Sequence, residues 1–176
     1  MDAVLDLLAE GTPIDTLSVE AIAARAGVGK ATIYRRWSGK ETLLLDALRT
    51  LKGPPPVPAG RSVREDLVAL LQVVHHEPDA RAARVLPCLL PGAWRSPEQD
   101  RLYQELVEPR REALRAVLRR GVANGELRAD LDIELTVALL AGPILMQRLL
   151  RAQPDLDETD LPERVVASVL AGIGRH

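Results

Sequence analysis

The sequence predicts an all-α fold in two parts, on three observations. Apolar residues recur with helical period along nearly the whole chain, and no convincing period-two stretch marks a strand. Capping residues and glycines punctuate that pattern at helix-length intervals. Between the parts lies Gly53-Pro-Pro-Pro-Val-Pro-Ala-Gly60, whose four prolines cannot be helix interior and read as a stiff extended connector. It divides residues 1–52 from 53–176.

The elements follow in order. Residues 2–10 place Val4, Leu5 and Leu8 on one face, and Gly11 ends the first helix. Ser18 is an N-cap before the Ala-rich second helix, which stops at Gly27. Residues 30–37 make a short third helix. Ser38-Gly-Lys-Glu41 is a capping box opening a fourth, with Leu43, Leu44, Ala47, Leu48 and Leu51 on its apolar face.

After the connector, Ser62-Val-Arg-Glu65 is a second box, starting a helix through about His76. Another runs from Asp79 to about Leu86, ended by Pro87 and Pro91. Ser96-Pro97-Glu98-Gln99 is a third box with Pro at the first helical position. It opens a long helix to about Ala123, bent near Pro109 and closed by Asn124-Gly125. Asp132 starts a helix to about Arg151, interrupted by Gly142-Pro143. The last begins near Asp160 and ends around Gly172. No repeats or low-complexity tracts are present.

Bulk properties narrow the class. At 176 residues, 47% apolar and 27% charged, the chain can bury a real core. With 2% aromatics and no Phe, that core is built of Leu, Val, Ala and Ile, and a base-stacking surface for single strands is not available. The single cysteine, Cys88, excludes an internal disulfide or a cysteine-rich zinc site. No secretory leader pattern opens the sequence. Its most apolar run, Val137–Met146, is too short to span a membrane, so a cytoplasmic location without membrane partners is expected.

Charge is unevenly placed. Residues 18–52 hold seven cations against three anions, a local +4 in a chain whose net charge is −2. Such asymmetry points to a polyanion-binding patch. A helix-turn-helix needs a small residue where its helices cross, a Gly in the turn and an apolar lock. Ala23, Gly27 and the set Ile22, Ala26, Val28, Ile33 and Trp37 fit those requirements. Ile33 and Trp37 turn one side of the third helix inward. Ala31, Thr32 and Arg35 are left outside, flanked by Tyr34 and Arg36, with Lys30 at the start. Guanidiniums, hydroxyls and a small Ala suit a major-groove reader, and Lys40 can reach a phosphate.

The stretch TLSVEAIAARAGVGKATIYRRWSGKETLLLDAL resembles the DNA-binding domain of TetR-family transcriptional regulators. The capped second helix, the Gly27-Val28 turn, Thr32-Ile33-Tyr34 and Lys40 carry the likeness. The resemblance implies that Thr32 and Tyr34 contact phosphate or base edges, Ala31 and Arg35 bases, and Lys40 the backbone. Lys30 and Arg36 match positions that vary between bases and phosphates, and Ser18 would sit near a phosphate. Two departures stand out. Position 29 is Gly where the family often has Ser. The first helix opens at residue 2 with no basic arm before it, so either the start is truncated or an arm's minor-groove contact is absent.

Beyond the connector the chain is similar in style to a TetR-type ligand-binding and dimerisation domain. The likeness implies a homodimer on a palindromic operator and a small-molecule effector, apolar or amphipathic because polar residues are scarce. The expected dimer stripe comprises Val165, Val166, Val169, Leu170 and Ile173 on the last helix. Ile133, Val137, Leu140 and Ile144 on the helix before it complete the stripe. Pocket candidates are the distinctive side chains His75, Cys88, Trp94, Tyr103, Met146 and Gln147.

Competing chemistry is weaker. His75 and His76 point about 100° apart on a helix, with no partner motif for a metal. The acidic run Asp155–Asp160 lacks the Gly that a calcium loop requires at its sixth position. No nucleophile–base grouping or phosphate loop appears, so neither an enzyme nor a cofactor is expected. An all-helical adaptor or a small-molecule-binding protein without DNA binding is the alternative reading.

Overall fold

The computed structural model describes residues 1–75, 81, 84–85, 96–150 and 152–173. They form eight helices longer than one turn and no strand. Of the helix expected over Asp79–Leu86, only Arg81, Arg84 and Val85 are described, and they are helical. Cys88, Trp94 and the side chain of Ile173 lie outside the described residues.

The chain divides into two compact units. One holds Met1–Pro54 with Glu77–Val107, the other Pro55–His76 with Glu108–His176. The first break falls inside the proline stretch. The return of residues 77–107 to the first unit left no mark in composition.

In the first unit, α1 (Asp2–Ala9), α2 (Val19–Ala26), α3 (Lys30–Tyr34) and α4 (Lys40–Lys52) surround one small core. Val4, Leu8, Ala47 and Leu48 are fully buried there, with Leu5, Leu17, Ile22, Leu43 and Leu44 almost so. The α4 face expected from spacing is the buried one, but its cap differs. Gly39, not Ser38, is the N-cap, and the hydroxyl of Thr42 accepts from the Gly39 N–H at 3.3 Å. Thr42, three residues on, thus performs the return half of a capping box without a side chain to answer it.

The second unit contains α5 (Val63–His75), the part of α6 (Pro97–Ala123) from Glu108, α7 (Ile133–Leu150) and α8 (Leu161–Ile173). Three caps are as expected. The Glu65 N–H donates to Ser62 Oγ at 3.1 Å, the Leu135 N–H to Asp132 Oδ1 at 3.0 Å, and Gly125 closes α6 at φ 75°. Leu67 and Leu71 of α5, Leu118 of α6, Leu140 and Ile144 of α7 and Val166 of α8 are completely buried together. Each such side chain stabilises the fold by about 1.5–3 kcal/mol.

Two expectations for α7 are corrected. It runs through Gly142-Pro143 without interruption. Pro143 cannot donate to the Leu139 carbonyl, yet both residues are exposed, so water can satisfy the freed oxygen. Its 18 residues also reach a mean hydropathy of 1.5, enough by length and composition to cross a membrane, where no such run was expected. One face packs against both α5 and α8, as a bundle helix does.

An ion pair with a buried carboxylate and a part-exposed guanidinium ties the start of α5 to α6. Asp66, 2% exposed, pairs with Arg120 Nη2 at 2.5 Å, and its two oxygens accept from the Gly60 N–H at 3.1 Å each. Removing Arg120 would strand the buried Asp66 carboxylate, at a cost below the roughly 3–5 kcal/mol of a fully buried pair because the guanidinium is part-exposed.

Gly121 sits where α6 meets α5 and the following turn. A Cβ there would lie 2.6 Å from Val63 Cγ2 and 2.8 Å from Leu127 Cδ1, both buried residues. Gly121→Ala should therefore lower stability by about 1–3 kcal/mol through overpacking. Helix propensity alone would raise it by about 1 kcal/mol. A thermal melt decides the sign, and a raised midpoint would contradict this close approach.

Candidate nucleic-acid interface

The interface is built outward from the α2–α3 turn. Ser18 Oγ accepts from the Ala21 N–H at 3.1 Å and so starts α2. Gly27 ends it at φ 66°, a left-handed conformation that strains any side-chain-bearing residue. The Val28 N–H returns to the Ala23 carbonyl at 3.0 Å, which turns the chain into α3.

Five residues of α3 present only one buried side chain, Ile33, at 4% exposure. Ile22 and Ala23 of α2, the helix that packs against α3, are equally buried. The rest of the expected lock is looser. Ala26 is exposed, Val28 is 41% exposed, and Trp37 is half-buried. Trp37 follows the helix in a turn, where its indole N–H donates to Asp46 Oδ2 at 2.9 Å. The indole is thus anchored to α4 by a polar bond as well as by contact.

Fixing Ile33 inward leaves the other α3 residues outward. Ala31, Tyr34 and Arg35 are exposed, and Thr32 is half-buried. Arg36, also exposed, lies over the Trp37 ring at 5.4 Å from its centroid, a cation–π distance. Arg35 has no hydrogen-bond or ion-pair partner among the described residues. Its five side-chain N–H donors meet no acceptor among the described residues and suit a base edge or phosphate.

Two expected cations have partners. Lys40 Nζ donates to the Ile14 carbonyl at 3.1 Å, pinning the α1–α2 loop and keeping two donors for another acceptor. Lys30 Nζ lies 2.6 Å from Glu20 Oε1. The hydrogen bond between them holds the Glu20 carboxyl below its ordinary range and the Lys30 ammonium above its own. Arg25 is engaged away from α3, in a two-point pair with Glu10 at 2.8 and 2.5 Å. Reading by residue class identified the cations but not these acids, which lie ten and fifteen positions away. At position 29 the Gly supplies no side-chain cap; a Cβ there would meet nothing within 4 Å, so Ser would fit.

The residues expected to form a dimer stripe are mostly internal. Val137, Leu140, Ile144 and Val166 belong to the chain's own core, and Ile133, Val165, Val169 and Leu170 pack against it. The apolar side chains that α7 leaves outside are Leu135, Leu139, Met146 and Leu150. Pocket expectations are also revised. Met146 is 50% exposed. Gln147 is buried, with both ends of its amide bonded to the backbone of Gln153 and its nitrogen also to Glu158. It braces the α7–α8 connector. His75 Nε2 lies 3.2 Å from the Glu158 carbonyl, and Tyr103 is half-buried. An open groove of about 330 Å³ in the second unit is lined instead by Val137, Ala138, Ala141, Gly142 and Leu145, with Arg111, Arg115 and Glu134 at its rim. Arg115 bonds Glu134, Glu108 and Glu112, and the bonds to Glu134 and Glu108 hold its guanidinium pKa above the ordinary value.

Comparisons agree with this architecture. Residues 2–47 match the tetR family of bacterial regulatory proteins, and 57–169 match the tetracyclin repressor-like C-terminal domain. The uncharacterized HTH-type transcriptional regulator YdeS of Bacillus subtilis is 35% identical over 85% of this chain and 76% of its own. The DNA-binding transcriptional repressor TetR of Mycobacteroides abscessus is 32% identical over 89% and 82%. The TetR family transcription regulator SCO0332 superposes with a TM-score of 0.70 at 28% identity, covering 98% of this chain and 95% of that one. FadR from Bacillus subtilis in complex with stearoyl-CoA has the same fold, with a TM-score of 0.78 at 22% identity over 98% and 96%.

Variants separate base reading from backbone contact. With a duplex enriched from a random pool, Arg35→Ala should cost about 1–3 kcal/mol and relax preference at one position per half-site. Lys40→Ala should weaken all sequences and reduce the salt slope by about 1. Titration at two salt concentrations reads both. Wild-type behaviour from both variants would remove the groove assignment.

Proposed function

This chain belongs to the tetR family of bacterial transcriptional regulators, and on that premise we propose that it is a ligand-responsive repressor binding a palindromic operator as a homodimer. Each copy sets the outer face of α3 in the major groove, the two helices about one turn of DNA apart. Arg35 and Ala31 face bases. Thr32, Tyr34, Arg36 and Lys40 hold phosphates or neighbouring edges, and Ser18 stands at the backbone. The observation that carries this reading is the outward display of α3, with Arg35 unpartnered among the described residues and only Ile33 buried. A protein that reads the chromosome works in the cytoplasm, and the reading assigns it no catalytic step.

Residues 1–52 form the reading head and 53–176 the responsive and dimerising part. Support for dimerisation comes from α7. Leu135, Leu139, Met146 and Leu150 recur at spacings of four, seven and four, so they fall on one face of the helix. They are 56%, 48%, 50% and 62% exposed in the single chain. A helix apolar nearly all round needs cover on each side, and a second copy supplies it through a two-fold interface. This face differs from the stripe expected from sequence, whose Val137, Leu140, Ile144 and Val166 are buried in the chain's own core.

The effector reading rests on the groove in the second unit. An apolar floor of Ala, Leu and Val with charged groups at the rim suits an amphipathic molecule. Its binding lowers DNA affinity only by favouring a state in which the heads are wrongly spaced, by the difference of its affinities for the two states.

Leu139→Glu tests the dimer. Sedimentation should show the wild type as a dimer and the variant as a folded monomer. The variant should lose roughly 100-fold or more in affinity for a two-half-site duplex, because avidity is lost. A wild type that binds that duplex as a monomer, or a variant that remains dimeric, would refute this interface.

A further inference from the structure

From Ser18 to Lys40 the sequence holds five cations and one anion, Glu20. That single acid is placed on a cation of the recognition helix. Glu20 Oε1 stands 2.6 Å from Lys30 Nζ, with the two side chains 58% and 54% exposed, so water and any approaching phosphate reach the pair. We propose that Glu20 sets the affinity of the interface, its carboxylate competing with DNA phosphate for the Lys30 ammonium. The inference rests on the DNA-binding reading and deepens it.

The physics follows from counterion release. Each phosphate neutralised by a lysine or arginine adds about 0.9 to the salt slope for duplex DNA. A lysine already neutralised by a carboxylate adds little while that pair holds. To use Lys30, the protein must break the pair and leave Glu20 facing the phosphates, a cost equal for every sequence. Among the described residues Arg35 and Arg36 have no ion-pair partner and Lys40 is held only by a neutral carbonyl. Binding is thereby weakened without touching the base-reading side chains, and the repressor is easier to release from DNA. The mutual holding of the two ionised forms means ordinary changes of pH around neutrality do not open the pair.

Glu20→Gln, Lys30→Gln and the double variant test this on an enriched operator duplex and on a random duplex, titrated across salt. Glu20→Gln should bind both duplexes severalfold more tightly by a common factor, with the salt slope steeper by about 0.9. Lys30→Gln should cost almost nothing in the wild-type background and severalfold in the Glu20→Gln background. Three outcomes overturn the proposal. Weaker binding by Glu20→Gln would mean that the acid positions Lys30 for its contact. An equal gain with Lys30 already removed would mean that Glu20 repels DNA directly. An unchanged slope would mean that Lys30, once freed of Glu20, still neutralises no phosphate. Failure of the wild type to bind either duplex would instead remove the regulator reading, so the two are distinguishable. Circular-dichroism melts confirm that all four proteins are folded.

Discussion

The burial of Ile33 is the constraint on which the reading surface depends. A five-residue helix has no stability of its own, since nucleation costs more than one turn of hydrogen bonds returns. Its position comes from the left-handed turn at Gly27 and from one buried side chain on a helix that packs against α2. Burying that isoleucine contributes about 1.5–3 kcal/mol, and it also fixes the rotation of the helix. With Ile33 inward, Ala31, Tyr34 and Arg35 can only be outward. The same side chain that stabilises α3 therefore decides what α3 presents.

Charge is then apportioned around that fixed helix. Arg25 is bound by Glu10, so it serves the joining of α1 to α2. Lys40 holds the loop between them through Ile14. Arg36 rests on the Trp37 ring, and Trp37 is held by Asp46. Arg35 is left, among the described residues, with its full set of side-chain donors. A basic patch that looks uniform as composition is thus graded in the fold, from structural to available, and Lys30 with Glu20 stands between.

Much of this was legible in the sequence where chemistry is local. Ser18, Gly27, Ser62, Asp132 and Gly125 mark helix ends because caps and left-handed turns act within four residues. The α3 orientation followed from Ile33 in the same way. The α7 face did not follow. Its apolar residues nearly encircle the helix, so periodicity could not choose between Leu140 and Ile144 inside and Leu139 and Met146 outside. The Asp66–Arg120 pair was hidden because its partners are 54 residues apart, although an acid between Val63 and Leu70 on an apolar face was a signal for it. The partners of Gln147, Gln153 and Glu158, lie beyond the helix that carries it, and nothing local in the sequence marked them.

The central claim is that the outer face of α3 reads duplex DNA in two symmetric halves. Parallel selections from random duplex DNA, by the wild type and by Arg35→Ala, test it most directly. The account predicts a palindrome enriched by the wild type, and the same palindrome from the variant with one position per half-site degenerate. No enriched sequence from the wild type, or identical sequences from both proteins, would contradict it.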